Sequence, residues 1–248
     1  MTDPRGDSTE RLDAAKRSGG RFPTLRPRDA ATLIIIDRKG HEPKVLMGRR
    51  HSAHKFMPGK FVFPGGRIEL GDRSMPVSGA LHPRAEQALM ARVTRPTAQR
   101  SRALALAAIR ETFEETGLLL GVTGLGAPAA PAGPWATFAG RSVFPDLEAL
   151  QVIARAITPP GRPRRFDTRF FACDRTAVAD EVGGIVGPDS ELVEIAWATL
   201  SEAKRLELPA ITLTILEELE DRIANGFAPE LPVPFYYERR GRFIRELI

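Results

Sequence analysis

Arg110-Glu111-Thr112-Phe113-Glu114-Glu115-Thr116-Gly117 is the stretch on which the reading of this chain turns. The surrounding pattern from Ser101 to Leu119 is helical, with Gly121 a plausible terminator beyond it. With Glu111 set at zero on a wheel of about 100° per residue, Glu115 falls near 40° and Glu114 near −60°. Three carboxylates therefore share one face, an arrangement that costs an isolated helix a few tenths of a kcal/mol per pair. A divalent cation would relieve that repulsion, because Mg²⁺ and Mn²⁺ favour carboxylate and water oxygens. A merely solvated acidic face, with Arg110 paired to Glu114, is the competing reading. Ala105, Ile109, Phe113 and Thr116 give the opposite side an apolar stripe to bury. Ala107 and Ala108 lie on the carboxylate side, where small side chains would leave room for a ligand.

Upstream, Phe63-Pro64-Gly65-Gly66 sets two glycines directly after an apolar strand, Phe61-Val62-Phe63. Backbone without Cβ atoms can approach a metal or a phosphate closely. Ala31 to Ile36 is a β-branched strand and Val45 to Gly48 its expected hairpin partner, while Asp167 to Cys173 and Leu192 to Thr199 are further strands. Ser201 is a candidate cap for a short helix through Leu206, and Ile211 to Ala224 reads as a longer amphipathic helix. Residues 122 to 145, rich in Gly, Ala and Pro, read as a long loop. Strands, a helix, more strands and then helices imply an α+β fold with a mixed sheet covered on both sides. Residues 1 to 28 lack apolar periodicity and are expected as a flexible tail, leaving 29–248 as one domain.

Composition names no function. The formal charge of +5, from 36 basic and 31 acidic residues, is a weak attraction to anions, with no run of like charge that would mark a nucleic-acid-binding arm. Cys173 is the only cysteine, which excludes an intrachain disulfide and a cysteine-held zinc. A polar N-terminus and the lack of any membrane-length apolar run lead to the expectation of a cytoplasmic protein with no membrane partner. Nucleic acid is not an expected partner either.

Taken together, Gly66-Arg67-Ile68-Glu69-Leu70-Gly71-Asp72 and Arg110 to Leu118 resemble the two halves of the Nudix signature, Gx5Ex7REUxEExGU, where U is a bulky apolar residue. Thr112 stands at an apolar position and Asp72 where the pattern has Glu. Residues 73 to 109 occupy a spacer that the pattern makes seven residues long. The result is an insertion at about 73–101 that contains a helix-like stretch, Pro83 to Val93. A box split in this way resembles the branch of peroxisomal coenzyme A diphosphatases and their bacterial relatives.

The resemblance implies a Nudix-type α/β/α sandwich and a pyrophosphohydrolase cleaving a nucleoside diphosphate linked to another moiety, with coenzyme A or its esters as candidates. It implies Mg²⁺ or Mn²⁺ on Glu111, Glu114, Glu115 and the Gly65 carbonyl, with Arg110 orienting the carboxylates. Glu191 and Glu194 are candidates for the proton acceptor. Arg49, Arg50, Lys60 and Arg67 are candidates for binding substrate phosphates. The implied partner is a small nucleotide-type molecule, and a homodimer is the candidate assembly. A nucleotide-sensing module of the same fold, without hydrolysis, is the alternative function. His51 and His54 are read as surface residues, and Phe235-Tyr236-Tyr237 either packs on the core or stacks on a base.

Overall fold

The computed structural model describes residues 6–17, 22–23, 25–53 and 57–248, so His54 lies outside the described residues. The first strand, β1 (Arg28–Asp37), shows how the layers arise. Successive side chains of a strand point to opposite faces, so Ala31, Leu33 and Ile35 enter one apolar cluster and Ile34 and Ile36 the other. β7 (Phe166–Asp174) lies parallel to β1 from Arg28↔Phe166 to Ile36↔Asp174 and splits its residues in the same way, Phe171 and Cys173 against Phe170 and Ala172.

A parallel neighbour needs a long crossover, and the chain between β1 and β7 supplies most of the covering layer on the first face. That layer is α2 (Pro83–Met90), α3 (Ala98–Thr116) and α4 (Trp135–Gly140). The second face carries α1 (Gly6–Arg17), α5 (Leu200–Ala203) and α6 (Ala210–Ala224). The order β11-β10-β6-β7-β1-β2-β3 is completed by β2 (Lys44–Arg50), β3 (Phe61–Val62), β6 (Gln151–Ile157), β10 (Pro234–Arg239) and β11 (Arg242–Leu247). β6 and β10 pair in parallel and β6 and β7 antiparallel, so the sheet is mixed and sandwiched between helices, while β5 (Leu118–Leu120) and β8 (Val178–Glu181) pair antiparallel as a separate ribbon.

The edge of β1 away from β7 is shared by two strands. β2 pairs with it only at Ile36↔Val45 and Asp37↔Lys44, and β4 (Gly65–Arg67) takes over at Ala30, Ala31 and Thr32. β2 then diverges to pair along its length with β9 (Leu192–Thr199), with a bulge between Arg49 and Arg50. This divergence seats the glycine pair beside β1, directly against α3.

Several boundaries differ from the sequence reading. α3 ends at Thr116 rather than Leu119, because Gly117 adopts the left-handed conformation (φ 82°) and stops it. A Cβ at Gly117 would stand 2.1 Å from the Val182 carbonyl oxygen, so only glycine fits. The expected loop at 122 to 145 contains α4, whose Trp135 and Phe138 are buried. Thr199, not Ser201, caps α5. Within the expected flexible tail, residues 6–17 form α1, pinned by buried Leu12 and a two-point Arg11–Glu217 pair at 2.8 and 3.0 Å. Ala107 and Ala108 lie fully buried in the core, so they leave no ligand space; their small size lets α3 pack closely. Phe235 and Tyr236 are buried too, which makes them packing residues. No helix among the described residues is long and apolar enough to cross a membrane.

Candidate active site

Arg110 sits in the second-to-last turn of α3, 1% exposed, with its guanidinium aimed at the chain that leaves β4. Its Nε donates to Asp72 Oδ1 at 2.9 Å, and Nη2 donates to Asp72 Oδ2 at 3.1 Å and to the Arg67 carbonyl at 2.7 Å. Nη1 donates to Glu111 Oε1 at 3.0 Å and Glu114 Oε2 at 2.8 Å. A guanidinium has five N–H donors, and all five are engaged. Burial alone would disfavour its charge, but the hydrogen bond to Asp72 and the charges of Glu111, Asp72 and Glu114 outweigh that and raise its pKa.

Asp72 is as completely satisfied. Besides the fork from Arg110, Oδ1 accepts the indole N–H of Trp135 at 3.1 Å and Oδ2 accepts the Glu69 amide at 2.8 Å. It lies in a short 3-10 turn, Gly71–Arg73, with no exposed surface. The Asp in place of the pattern's Glu is therefore the counter-ion of Arg110. The sequence signal for Trp135 is faint: Trp135 and Phe138 stand at helical spacing inside a stretch otherwise dominated by Gly, Ala and Pro.

The three glutamates differ in exposure. Glu114 is partly open, Glu111 is 16% exposed at its side chain, and Glu115 is buried. The Gly65 amide donates to Glu115 Oε2 at 3.3 Å, and a Cβ on Gly66 would stand 2.2 Å from Glu111 Oε1. Two carboxylates thus lie on backbone that only glycine leaves open. Burial pushes Glu111 up to about 7, with Glu114 and Glu191 adding repulsion and Arg110 opposing. Burial, then Glu191 and Glu111, raise Glu115 well above an ordinary glutamate, opposed by Arg50 and the Gly65 amide. Burial also raises Glu114, against the pull of Arg110.

As the side chains stand, no three carboxylate or imidazole groups among the described residues surround a common point; Arg110 Nη1 lies between Glu111 and Glu114. The donor set nevertheless suits a hard divalent cation. It is made of carboxylate oxygens whose negative charge burial and mutual repulsion resist, beside glycine backbone with no Cβ in the way.

The remaining candidates divide. Arg50 and Glu191 come to the carboxylates: Arg50 Nη1 donates to Glu191 Oε1 at 2.8 Å, and both charges act on Glu115. Arg67 lies at the end of β4 with an exposed side chain, its carbonyl held by Arg110. Arg49 and Glu194 pair with each other at 2.8 Å on the surface, each about half exposed. Lys60 turns to Glu207 at 3.3 Å. The β2–β9 register explains the split, since Arg49 faces Glu194 and the bulge redirects Arg50.

No family model matches the chain. The chain is similar to the acyl-coenzyme A diphosphatase NUDT19 of Gallus gallus, 29% identical over 61% of this chain and 56% of that protein. The Xenopus laevis protein of the same name is 28% identical, with 77% and 61% covered. A putative nudix hydrolase 7 of Caenorhabditis elegans is 26% identical, with 84% and 68% covered. The chain thus spans 56% and 61% of the length of the two diphosphatases. Its fold matches the crystal structure of a Nudix hydrolase from Alicyclobacillus acidocaldarius with a TM-score of 0.58 and 28% identity, covering 78% of this chain and 90% of that one. Fold, split signature and sequence likeness agree that this chain is a relative of the Nudix hydrolases, on the side of those named acyl-coenzyme A diphosphatases.

Proposed function

We propose that the protein is a metal-dependent pyrophosphohydrolase that cleaves the diphosphate of a nucleoside diphosphate linked to another moiety, with coenzyme A or its esters as the substrate class. The observation that carries this reading is the fully hydrogen-bonded Arg110, fixed by Asp72 on one side and holding Glu111 and Glu114 on the other, beside the Gly65-Gly66 backbone. A solvated acidic helix face would not need a buried arginine with every donor satisfied. The likeness to the acyl-coenzyme A diphosphatases supports the choice of substrate class.

Glu111, Glu114, Glu115 and the Gly65 carbonyl would hold Mg²⁺ or Mn²⁺. Such an ion neutralises diphosphate charge and makes a bound water more acidic. The chain's own residues supply positioning, which is most of what phosphoryl transfer asks of a protein. Arg110 keeps two carboxylates in fixed aim. Arg67, exposed at the end of β4, meets a substrate phosphate, and Arg50 holds Glu191 where its carboxylate can accept the proton of the attacking water. Water adds to one phosphorus, the bridging P–O bond breaks, and each half leaves with one phosphate. Glu194, Arg49 and Lys60, engaged with surface partners, have no part in this scheme.

The test is hydrolysis of a panel with Mg²⁺ or Mn²⁺: coenzyme A and its esters, NADH, ADP-ribose and dinucleoside polyphosphates, with product masses. Cleavage of coenzyme A esters into two phosphate monoesters is expected, abolished in Glu114→Gln. A panel left intact while one member binds tightly would replace this reading with a nucleotide sensor.

A further inference from the structure

Trp135 stands 63 residues beyond Asp72 and outside both halves of the signature, yet its indole N–H reaches Asp72 Oδ1 at 3.1 Å. The ring is 1% exposed. Its body packs on Phe138, centroids 4.9 Å apart, and Phe138 meets Phe113 of α3 edge-on at 5.5 Å. A buried indole commonly combines an apolar body with one satisfied donor. Here that donor falls on the carboxylate that orients Arg110, and Arg110 orients Glu111 and Glu114.

We propose that Trp135 is a positioning residue, which acts through Asp72 and Arg110 to hold the carboxylates of α3 in their working geometry. Asp72 has one methylene fewer than the glutamate of the signature, so it depends more on outside donors to stay on the guanidinium. The Glu69 amide holds Oδ2 and Trp135 holds Oδ1. Gly71 belongs to the same fit, since a Cβ there would lie 3.1 Å from Trp135 Cδ1. In this way the segment after the helix, and not the signature alone, sets the aim of the site. The proposal rests on α3 as the catalytic centre, and its spectroscopic arm is independent of that reading.

Trp135→Phe keeps an aromatic ring in the core and removes the N–H together with some buried volume. With a cleaved substrate from the panel, kcat should fall about tenfold, the scale expected when an outer partner of a metal-site residue is lost, while KM stays nearly unchanged. Leu147→Ala, in the same core cluster, provides a comparable loss of stability and should leave kcat unchanged. In a double-mutant cycle with Asp72→Asn, adding Trp135→Phe should cost little further, because the indole acts through that carboxylate. Full kcat in Trp135→Phe, an equal loss in Leu147→Ala at matched melting temperature, or strictly additive effects would each overturn the proposal. The chain has two tryptophans, so Trp135→Phe assigns the indole N–H resonances. The Trp135 resonance should exchange slowly and shift in Asp72→Asn. An unmoved resonance overturns the proposal even if the wild type cleaves nothing on the panel, a result that by itself would refute only the functional reading.

Discussion

Arg110 and Asp72 meet as a two-point pair, Nε to Oδ1 at 2.9 Å and Nη2 to Oδ2 at 3.1 Å, with neither side chain more than 1% exposed. A pair this deep is weak evidence for net stability, because desolvation opposes the attraction. Breaking it is another matter. Asp72→Asn removes one of the three carboxylates that neutralise the buried guanidinium and sets an amide N–H donor against the N–H donors that the carboxylate accepted. The expected cost is about 3–5 kcal/mol in urea unfolding. Asp72→Asn unfolding at the wild-type midpoint would mean that the pair is replaceable by water.

The raised pKa of Glu111 gives the stability of the metal-free protein a direction with pH. Folded, this carboxyl titrates at about 7 against an ordinary 4.5, so the folded state holds the proton more tightly than the unfolded chain. The group is neutral in both states below the lower value, and there it has no effect. As pH rises from about 4.5 to 7 the unfolded chain ionises first, and stability declines through that window. Glu111→Gln removes the decline. Its melting temperature in EDTA should equal that of wild type near pH 4.5 and exceed it at pH 8, by roughly 2–4 °C for each kcal/mol recovered. Parallel curves for the two proteins across that range would contradict the assigned burial of Glu111.

How much of this was legible in the sequence depends on where the signal lies. Glu111, Glu114 and Glu115 were visible because a helical period fixes which side chains share a face. β1 and β9 were visible because β-branched residues cluster there. The first carboxylate of the signature could be located at Asp72 but not its partner, since a 38-residue separation to Arg110 hides the contact. α1 is obscured because only Leu12, Ala14 and Ala15 are apolar, and the rest of its hold is polar, through Arg11 to Glu217, Lys16 to Glu238 and the Phe243 amide to Asp13. β6 was missed because Arg155 interrupts its apolar run. That arginine is itself buried, tied to Asp167 at 2.7 Å. Nor could sequence separate Glu191 from Glu194. The bulge after Arg49 decides which of them faces the carboxylates.

A divalent ion should stabilise the protein in proportion to the deprotonated carboxylate available to it. Mn²⁺ at 100 times its dissociation constant adds about 2.7 kcal/mol if only the folded state binds. Because protons compete for Glu111 and Glu115, the rise in melting temperature should be larger at pH 8 than at pH 6 and should vanish in EDTA. In Glu115→Gln the rise should shrink at both values. A pH-independent rise of equal size in wild type and Glu115→Gln would move the ion to another part of the molecule.

Gly66→Ala isolates the contribution of bare backbone. A methyl group at this position would stand 2.2 Å from Glu111 Oε1 and 2.3 Å from its carboxyl carbon, so either the side chain or β4 must move. Glu111 is the softer of the two, because β4 is held by β1 at Ala31↔Gly66 and by the Arg110 bond to the Arg67 carbonyl. The carboxylate should swing off the glycine, lengthening its bond to Arg110 Nη1 while Glu114 keeps its own. Misplacement of this order costs about a hundredfold in turnover. The circular dichroism spectrum should be unchanged, and Mn²⁺ affinity should fall. Gly65→Ala strikes backbone instead, 2.5 Å from the Ala31 carbonyl oxygen, and should lower the melting temperature more than Gly66→Ala does. Equal thermal losses in the two variants, with turnover spared in Gly66→Ala, would show that both glycines serve the strand and that Glu111 does not need the space above Gly66.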